Sequence, residues 1–159
     1  MLLQDSAYFT GPPLSDELIR RAEESLGVKL PRSYLDVLRE RNGGTPVNRC
    51  CPTPFPTSWA PDHFEIHAVL GVGGSRGIDT PDGSAYLVAE WGYPEVGVVV
   101  CAMPSGGHDA VMLDYSECGP VGEPAVAYVD EDRVPRRVAA SFAEFLGMLV
   151  ACDGEPPTR

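Results

Sequence analysis

Two apolar runs near the middle of the chain constrain the fold more than any other feature. Residues 96–103 are apolar almost throughout, 104–108 contain Pro104 and two glycines, and 109–115 return as a second apolar run. Runs of this length, rich in β-branched residues and joined by a Gly- and Pro-containing loop, are typical of paired antiparallel strands. We predict a central hairpin, and because its first run is apolar on both faces, we expect that run inside the sheet.

Helices are predicted before and after the hairpin. Ser15 is suited to cap a first helix that stops at Gly27, and Pro31 opens a second helix that ends at 42–44. Near the C-terminus, Ser141 and Glu144 form a capping box in front of apolar residues at helical spacing.

Further strands are predicted at 64–70, 85–89 and 124–129, the last at a sheet edge because it begins with proline. Five prolines in 45–62 predict a long ordered loop or a lid. The element order indicates an α+β fold, in which an N-terminal helix pair and a C-terminal helix pack on a mainly antiparallel sheet.

The chain length favours one domain. With 159 residues, of which 43% are hydrophobic, the chain can close one core but not two. We expect a single domain over 1–159, with its core at about 14–150 and loose ends at 1–13 and 153–159.

Cysteine usage and the N-terminus predict the compartment. Five cysteines are an odd number, and Cys101 lies inside the most apolar run, which favours a reducing environment. The N-terminus lacks the features of a signal peptide, and no apolar run approaches the roughly 18 residues that span a bilayer. We expect a soluble, cytoplasmic protein.

The net charge of −11 is concentrated in one segment. From 77 to 132 there is no Lys or Arg, but there are eleven acidic residues. This distribution disfavours nucleic-acid and anionic-membrane partners and suits a basic protein. An equally weighted alternative is that the acidity only keeps the protein soluble.

Trp91 and Tyr93 lie in this acidic segment, and together they suggest a protein-binding surface. Aromatic residues anchor interfaces and acidic residues steer basic partners. We expect the acidic residues at 109 and 130–132 to be exposed. The alternative for Trp91 is that it fills one end of the core and does not anchor a partner. The predicted partner-binding residues are Trp91, Tyr93, Asp109, Asp114, Glu117, Glu123, Asp130, Glu131 and Asp132.

Three groups of residues resemble catalytic, nucleotide or metal sites, but none has the required context. The Gly-rich loop 71–77 is followed by Pro81 before any helix, so a helix N-terminus for phosphate is missing. Zinc-ligand spacing is also missing. It is absent around His63 and His67, and Cys50 and Cys51 directly follow each other in the sequence.

The third group has the residue types of a nucleophile (Cys101), a base (His108) and an orienting acid (Asp114). These residues are spread along the predicted hairpin, which does not by itself bring them together. We predict no catalytic residue, no cofactor and no metal, and hence no enzyme. A small enzyme with 45–62 as its lid is a third, weaker alternative.

Several short motifs resemble the SUKH superfamily, in the branch similar to the yeast Smi/Knr cell-wall assembly regulator. The similarity runs from residue 14 to about 150. Its motifs are Ser15-Asp16-Glu17, Leu26-Gly27, Lys29-Leu30-Pro31, Ser33-Tyr34, Leu38, Asn42-Gly43-Gly44 and Ser141-Phe142-x-x-Phe145-Leu146.

The resemblance implies an α+β fold with helices on one face of the sheet, and it implies binding without catalysis. Many bacterial members of that superfamily are immunity proteins that neutralise secreted polymorphic toxins encoded next to them. Others are regulatory or scaffolding proteins. The leading hypothesis is therefore an immunity-type protein that occludes a basic toxin domain, and the alternative is a regulator or scaffold that binds an endogenous partner.

Overall fold

The computed structural model describes residues 2–152, which form four helices and ten short strands. The helices are α1 (Asp16–Leu26), α2 (Arg32–Glu40), α3 (Ser84–Trp91) and α4 (Phe142–Met148). The strands are β1 (Leu3–Gln4), β2 (Thr45–Pro46), β3 (Cys50–Pro52), β4 (His63–Glu65), β5 (Ala68–Val69), β6 (Gly97–Val99), β7 (Cys101–Ala102), β8 (Ala110–Asp114), β9 (Ala125–Val129) and β10 (Pro135–Ala139). All strand pairs are antiparallel, which confirms the predicted α+β class.

Serine side chains cap α1 and α4 as predicted. Ser15 Oγ accepts the N–H of Leu18 at 3.2 Å, and α1 ends at Gly27 in the left-handed conformation with a φ of 73°. Ser141 Oγ accepts the N–H of Glu144 at 3.2 Å. These bonds satisfy N–H groups that have no partner within a helix, so the local sequence defines where both helices begin.

The largest sheet has the strand order β10-β9-β8-β6. The predicted hairpin is present, because Val99 lies opposite Met112 and Val100 donates its N–H to Val111 O at 3.1 Å. The expectation that its first strand is interior is wrong for β6, which is the last strand of this sheet. Beyond Val100 the same segment continues as β7, which pairs with β5, so only the end of the run has neighbours on both sides.

Strand β9 lies between β8 and β10, which corrects the prediction that 124–129 forms an edge. The edge strand is β10, which the sequence analysis missed because it begins at Pro135 and contains Arg136 and Arg137. Proline and charged residues are unfavourable in a covered strand but compatible with an edge. The strand at the edge therefore had the composition of a loop.

Residues 84–91 form α3, although the sequence analysis predicted a strand at 85–89. A short apolar run does not by itself distinguish a buried strand from a helix. Contacts at both ends favour the helix: Ser84 Oγ accepts the N–H of Val99 at 2.8 Å, and Gly92 ends the helix with a φ of 69°. Helix α3 is thereby attached to β6.

Helices cover both faces of the sheet. Val98 belongs to the larger core, which also contains Tyr34 of α2 and Phe142 of α4. The adjacent Val99 belongs to a smaller core, against which Leu87 of α3 packs. This arrangement corrects the expectation, drawn from the resemblance, that the helices lie on one face.

The N-terminal segment is packed, which corrects the prediction of a loose end at 1–13. Strand β1 pairs with β2, Leu3 is 2% exposed, and Gly11 donates its N–H to Asn42 O at 2.8 Å. The predicted loose end at 153–159 lies outside the described residues.

The proline-rich segment 45–62 is ordered, as predicted, but it also contains β2 and β3. Strand β3 pairs with β4, so the prolines leave room for short strands. The single strand predicted at 64–70 is divided into β4 and β5, with Ile66 and His67 between them.

A disulfide joins Cys50 in β3 to Cys152. Disulfides persist mainly in oxidising compartments, so this bond does not support the reducing compartment predicted from the cysteine count. The remaining cysteines of residues 2–152 are free. Burial raises the pKa of Cys51 to about 12 and the pKa of Cys101 well above its usual value, which makes both poor nucleophiles.

Candidate protein-binding surface

The nine predicted partner-binding residues do not form one surface. Two of them are buried, and the others lie at opposite ends of the paired strands β8 and β9, about 13 Å apart along the sheet. The end near the β9–β10 turn has Trp91 and the acidic residues 130–132, and the other end has Asp114, Glu117 and Glu123. The acidic segment of the sequence is therefore divided in space.

Tyr93 and Asp109 are 5% and 2% exposed, so the expectation that Asp109 is exposed is wrong. Asp109 Oδ1 accepts the hydroxyl of Ser105 at 2.5 Å, and Oδ2 accepts the hydroxyl of Tyr128 at 2.7 Å. Tyr93 donates its hydroxyl to Gly107 O at 2.5 Å, and burial raises the pKa of Tyr93 to about 12. Burial and the bond to Asp109 also raise the pKa of Tyr128 well above its usual value. These side chains hold the 104–108 turn against the sheet.

Asp114, Glu117 and Glu123 line a groove of about 500 Å³ together with Arg137. Glu117 lies 3.8 Å from Arg137 Nη1, and Asp114 Oδ1 accepts the N–H of Ser116 at 2.9 Å. The described residues that line this groove include no aromatic side chain. As far as the described residues go, this groove offers charge without an aromatic anchor for a partner.

At the opposite end, three segments meet around Arg133. Its guanidinium donates from Nε to Trp91 O at 3.0 Å, and from Nη1 to His108 O at 2.8 Å and to Asp130 O at 3.1 Å. The guanidinium carbon also lies 4.8 Å from the centre of the Tyr93 ring, a cation–π distance. One side chain thus connects the end of α3, the 104–108 turn and the β9–β10 turn.

A fourth segment is attached through Asp130, because Asp130 Oδ2 accepts the N–H of Ser58 at 2.7 Å. This bond anchors the proline-rich loop beside Trp59, whose side chain is 44% exposed. We call Trp59, Trp91, His108 and the turn 130–134 the Arg133 surface. Its backbone is held by hydrogen bonds before any partner arrives.

Arg133 has a φ of 61°, the only positive φ of a non-glycine residue among residues 2–152. Its N–H donates to Asp130 O at 2.9 Å and closes the turn. A left-handed conformation costs an L-residue with a side chain roughly 1–2 kcal/mol and is usually taken by glycine. Residues in such conformations persist where the surrounding contacts hold them, and they cluster at functional sites.

The turn carries charges of both signs. Asp132 Oδ2 accepts a hydrogen bond from Arg136 Nη2 at 2.7 Å, and this bond lowers the pKa of Asp132. Exposed Glu131 lies 4.0 Å from His108 Nδ1. Arginines that follow the acidic segment in sequence therefore fold back beside it, and the acidity of this surface is partly neutralised.

Trp91 is half-buried. The buried part matches the predicted role of filling the core, and the exposed part matches the predicted role of anchoring a partner. Its side chain packs against the smaller core, and its ring lies 6.0 Å from the ring of His108. Gly107 has a φ of 128°, and a Cβ at that position would clash with the Trp91 indole. The indole therefore packs directly on the main chain of Gly107, and the rest of its surface remains exposed to solvent.

The nucleophile, base and acid types identified in the sequence are not brought together. Cys101 is buried, His108 lies in the turn before β8, and Asp114 is the last residue of β8. Their positions provide no hydrogen-bonded chain from nucleophile to base, which nucleophilic catalysis requires.

The Gly-rich loop at 71–77 is closed by side chains. The N–H groups of Val72 and Gly73 donate to Asn42 Oδ1 and Asp79 Oδ1, each at 2.8 Å. The next helix, α3, begins only at Ser84, after Pro81, in a segment where the sequence predicted a strand. Two amides that a phosphate would need are therefore already bonded.

Side chains of metal-ligating type come together at one place within residues 2–152. Three ligand atoms lie within 4.8 Å of one another there: the sulfurs of Cys50 and Cys152 and a carboxylate oxygen of Glu65. His63 Nδ1 lies 2.9 Å from Asp62 Oδ1, and His67 is exposed beside Phe9. The two histidines do not belong to that group.

The sequence pattern predicted neither Trp59 nor, at the centre of this surface, Arg133. Its position follows a run of three acidic residues, but β10 was not recognised, so the turn had no second strand to define it. Arginine is also an unusual residue for a left-handed turn position. The signal that could have indicated a turn between two strands is the polar sequence Asp-Glu-Asp-Arg at 130–133, which lies between two runs that contain valine and alanine.

The fold and this surface define a small α+β domain with helices on both sheet faces and a preformed mixed aromatic and charged end. The chain belongs to the SMI1 / KNR4 family (SUKH-1), whose sequence profile matches residues 13–148. This match confirms the resemblance inferred from the sequence motifs. Searches of the curated proteins and of the solved structures found no significant match. Within residues 2–152, no helix has the length and apolar character that crossing a bilayer requires.

Proposed function

We propose that this protein is an immunity-type protein that binds a cognate bacterial toxin domain through the Arg133 surface. It acts by occluding the toxin and has no catalytic activity of its own. The observation that carries the proposal is a surface held in place by Arg133 on a chain of a family in which immunity proteins occur.

A surface that is already ordered loses little conformational entropy on binding. Trp59 and the exposed part of Trp91 are the anchors, since tryptophan is enriched among residues that dominate binding energy. Electrostatic steering comes chiefly from the exposed acidic groups of the surface itself, Glu131 and Asp132, and the net charge of −11 adds to it. This charge favours a basic toxin over nucleic acid or an anionic membrane.

The proposed location is the cytoplasm, where an immunity protein meets a toxin before its export. In that compartment the Cys50–Cys152 pair is a dithiol. The fold keeps both cysteines next to each other there, because Cys50 and Val150 also exchange two backbone hydrogen bonds.

The proposal predicts that a neighbouring gene encodes a long secreted protein with a C-terminal toxin domain, and the direct test is co-expression of this protein with that domain. We expect this protein to restore growth to cells that make the toxin domain and to co-purify with it. If it neither restores growth nor co-purifies, the immunity role is wrong, and a regulator or scaffold of an endogenous partner takes its place.

The proposed surface is tested with charge-matched variants. Glu131→Gln/Asp132→Asn removes two acidic groups from the Arg133 surface, and Asp36→Asn/Glu40→Gln removes two exposed ones from α2. Both variants have the same net charge. Exposed charges are screened beyond a Debye length of about 8 Å at physiological salt and act mainly on association rates. We expect the first variant to associate more slowly and with a smaller salt dependence than the second.

Trp91→Ala tests the aromatic anchor. Truncation should raise the dissociation rate by a factor that corresponds to about 2 kcal/mol if the indole is a hot spot. Equal kinetics for the two charge variants, together with an unchanged dissociation rate for Trp91→Ala, would place the interface elsewhere.

A further inference from the structure

The backbone, and not only the disulfide, brings Cys50 and Cys152 together. Cys50 donates its N–H to Val150 O at 3.1 Å and accepts the N–H of Val150 at 2.8 Å. Leu149 is buried in the larger core and holds the chain just before this bridge. Neither contact uses sulfur, so both persist when the disulfide is reduced.

Glu65 adds a carboxylate to this pair of cysteines. Strands β3 and β4 place Glu65 directly opposite Cys50, and the three ligand atoms lie within 4.8 Å of one another. Cys50 and Cys152 are 3% and 7% exposed, and the Glu65 side chain is 18% exposed. Two sulfur ligands and one oxygen ligand, mostly shielded from water, are a donor set that Zn²⁺ accepts.

His63 lies on the same face of β4 as Glu65, because residues two apart in a strand share a face. It lines a hollow of about 120 Å³ together with Cys50 and Val150. Its Nδ1 is 2.9 Å from Asp62 Oδ1, and this contact helps to hold the ring beside the cysteine pair.

We propose that the reduced Cys50–Cys152 pair and Glu65 form a binding site for a thiophilic divalent cation such as Zn²⁺. A water molecule takes the fourth position of the tetrahedron, because His63 lines the neighbouring hollow but lies outside the group of ligand atoms that are within 4.8 Å of one another. Two thiolates and a carboxylate carry one negative charge more than Zn²⁺ balances, and Arg49, whose Nη1 is 3.5 Å from Glu65, offsets it.

The disulfide and the metal exclude each other, since bonded sulfurs are about 2 Å apart and zinc-bound sulfurs roughly 3.8 Å apart. A low-molecular-weight thiol such as glutathione supplies the electrons. Two of its thiols become one disulfide, and each protein sulfur gains one electron and one proton. Zn²⁺ then replaces both thiol protons, which are released to solvent, so binding weakens as pH falls.

The test uses the full chain, reduced with a dithiol and desalted without oxygen, and Co²⁺ as the probe. Thiolate-bound Co²⁺ has charge-transfer absorption bands that oxygen-bound Co²⁺ lacks. We expect reduced protein to show these bands, Zn²⁺ to remove them by displacement, and oxidised protein to show none. Reduced protein without these bands would overturn the proposal.

Three variants localise the metal. Cys152→Ser, which leaves one thiolate, should at least halve the thiolate bands, and Glu65→Gln, which keeps both cysteines, should weaken Co²⁺ binding at least about tenfold. Cys118→Ser changes a free cysteine outside the site and should bind as the unmodified chain does. Bands of undiminished intensity in Cys152→Ser, or unchanged affinity in Glu65→Gln, would contradict the assigned ligands. Circular dichroism confirms that each variant is folded.

Discussion

Arg133 adopts a backbone conformation that normally belongs to glycine, and its guanidinium forms three hydrogen bonds that compensate for the strain. The cost is roughly 1–2 kcal/mol, and a hydrogen bond from a charged donor contributes about 1.5–3 kcal/mol where it is shielded from water. The balance favours arginine only because the carbonyls of three segments converge on it.

Two substitutions separate the strain from the bonds. Arg133→Ala loses the hydrogen bonds and keeps the strain, whereas Arg133→Gly loses the same bonds and relieves the strain. We expect urea unfolding to show both variants below the unmodified chain, with Arg133→Gly the more stable of the two by roughly 1 kcal/mol. Arg136→Ala, which removes an exposed ion pair, should leave the free energy of unfolding almost unchanged. Equal stability of the two Arg133 variants would mean that the turn relaxes.

Asp109 is the second residue with a measurable role in stability. Asp109→Asn replaces one acceptor oxygen by an N–H₂ donor that faces the hydroxyls of Ser105 or Tyr128. We expect a loss of about 1–3 kcal/mol in the free energy of unfolding, measured in urea. The control is Asp36→Asn on the exposed side of α2, which should have almost no effect. An Asp109→Asn variant as stable as this control would show that the buried carboxylate contributes little.

At the scale of elements, the parts predicted correctly have local signals. Ser15, Gly27 and Ser141 mark helix ends by side-chain bonds and backbone freedom that act within a few residues. The errors concern α3, β9 and β10, whose state depends on neighbours distant in sequence. Apolar residues 85–89 fit a strand or a helix, and what selects the helix is its place over the face of the sheet that carries Val99.

Ser84 is the link that attaches α3 to the sheet. Its hydroxyl accepts the N–H of Val99, on the edge strand β6, which has no further neighbour in the four-stranded sheet. Ser84→Ala leaves this buried N–H without its acceptor and should cost about 1–3 kcal/mol. Hydrogen exchange should also become faster at Val99. Ser25→Ala on the exposed side of α1 is the control; equal effects of the two variants would exclude a specific role for this bond.

At the scale of the whole molecule, the candidate site was predictable in composition but not in arrangement. Trp91 and the acidic residues 130–132 were identified from sequence, yet Asp109 and Tyr93 proved to be buried. Charge along a sequence does not reveal which side chains a fold encloses. Nor does it show that arginines from β10 will lie beside the acidic residues.

The disulfide constrains the molecule as a whole, because it closes a loop with a sequence separation of 102 residues. Long closed loops restrict the unfolded chain most, and the typical contribution of one disulfide is about 2–4 kcal/mol. We expect reduction to lower the free energy of unfolding by this amount, with the fold retained. Urea unfolding with and without a dithiol measures the difference, and Cys152→Ser should show no further loss on reduction. An unchanged midpoint in the unmodified chain would contradict the prediction.

All three acceptors of the Arg133 guanidinium are main-chain carbonyls. Any amino acid supplies a carbonyl, so these three bonds do not depend on which side chains stand at 91, 108 and 130. Exposed side chains such as those of His108 and Glu131 can therefore be exchanged while the loops that carry them keep their path. A chain built in this way can acquire a new binding specificity through point substitutions, without a change in loop length or fold.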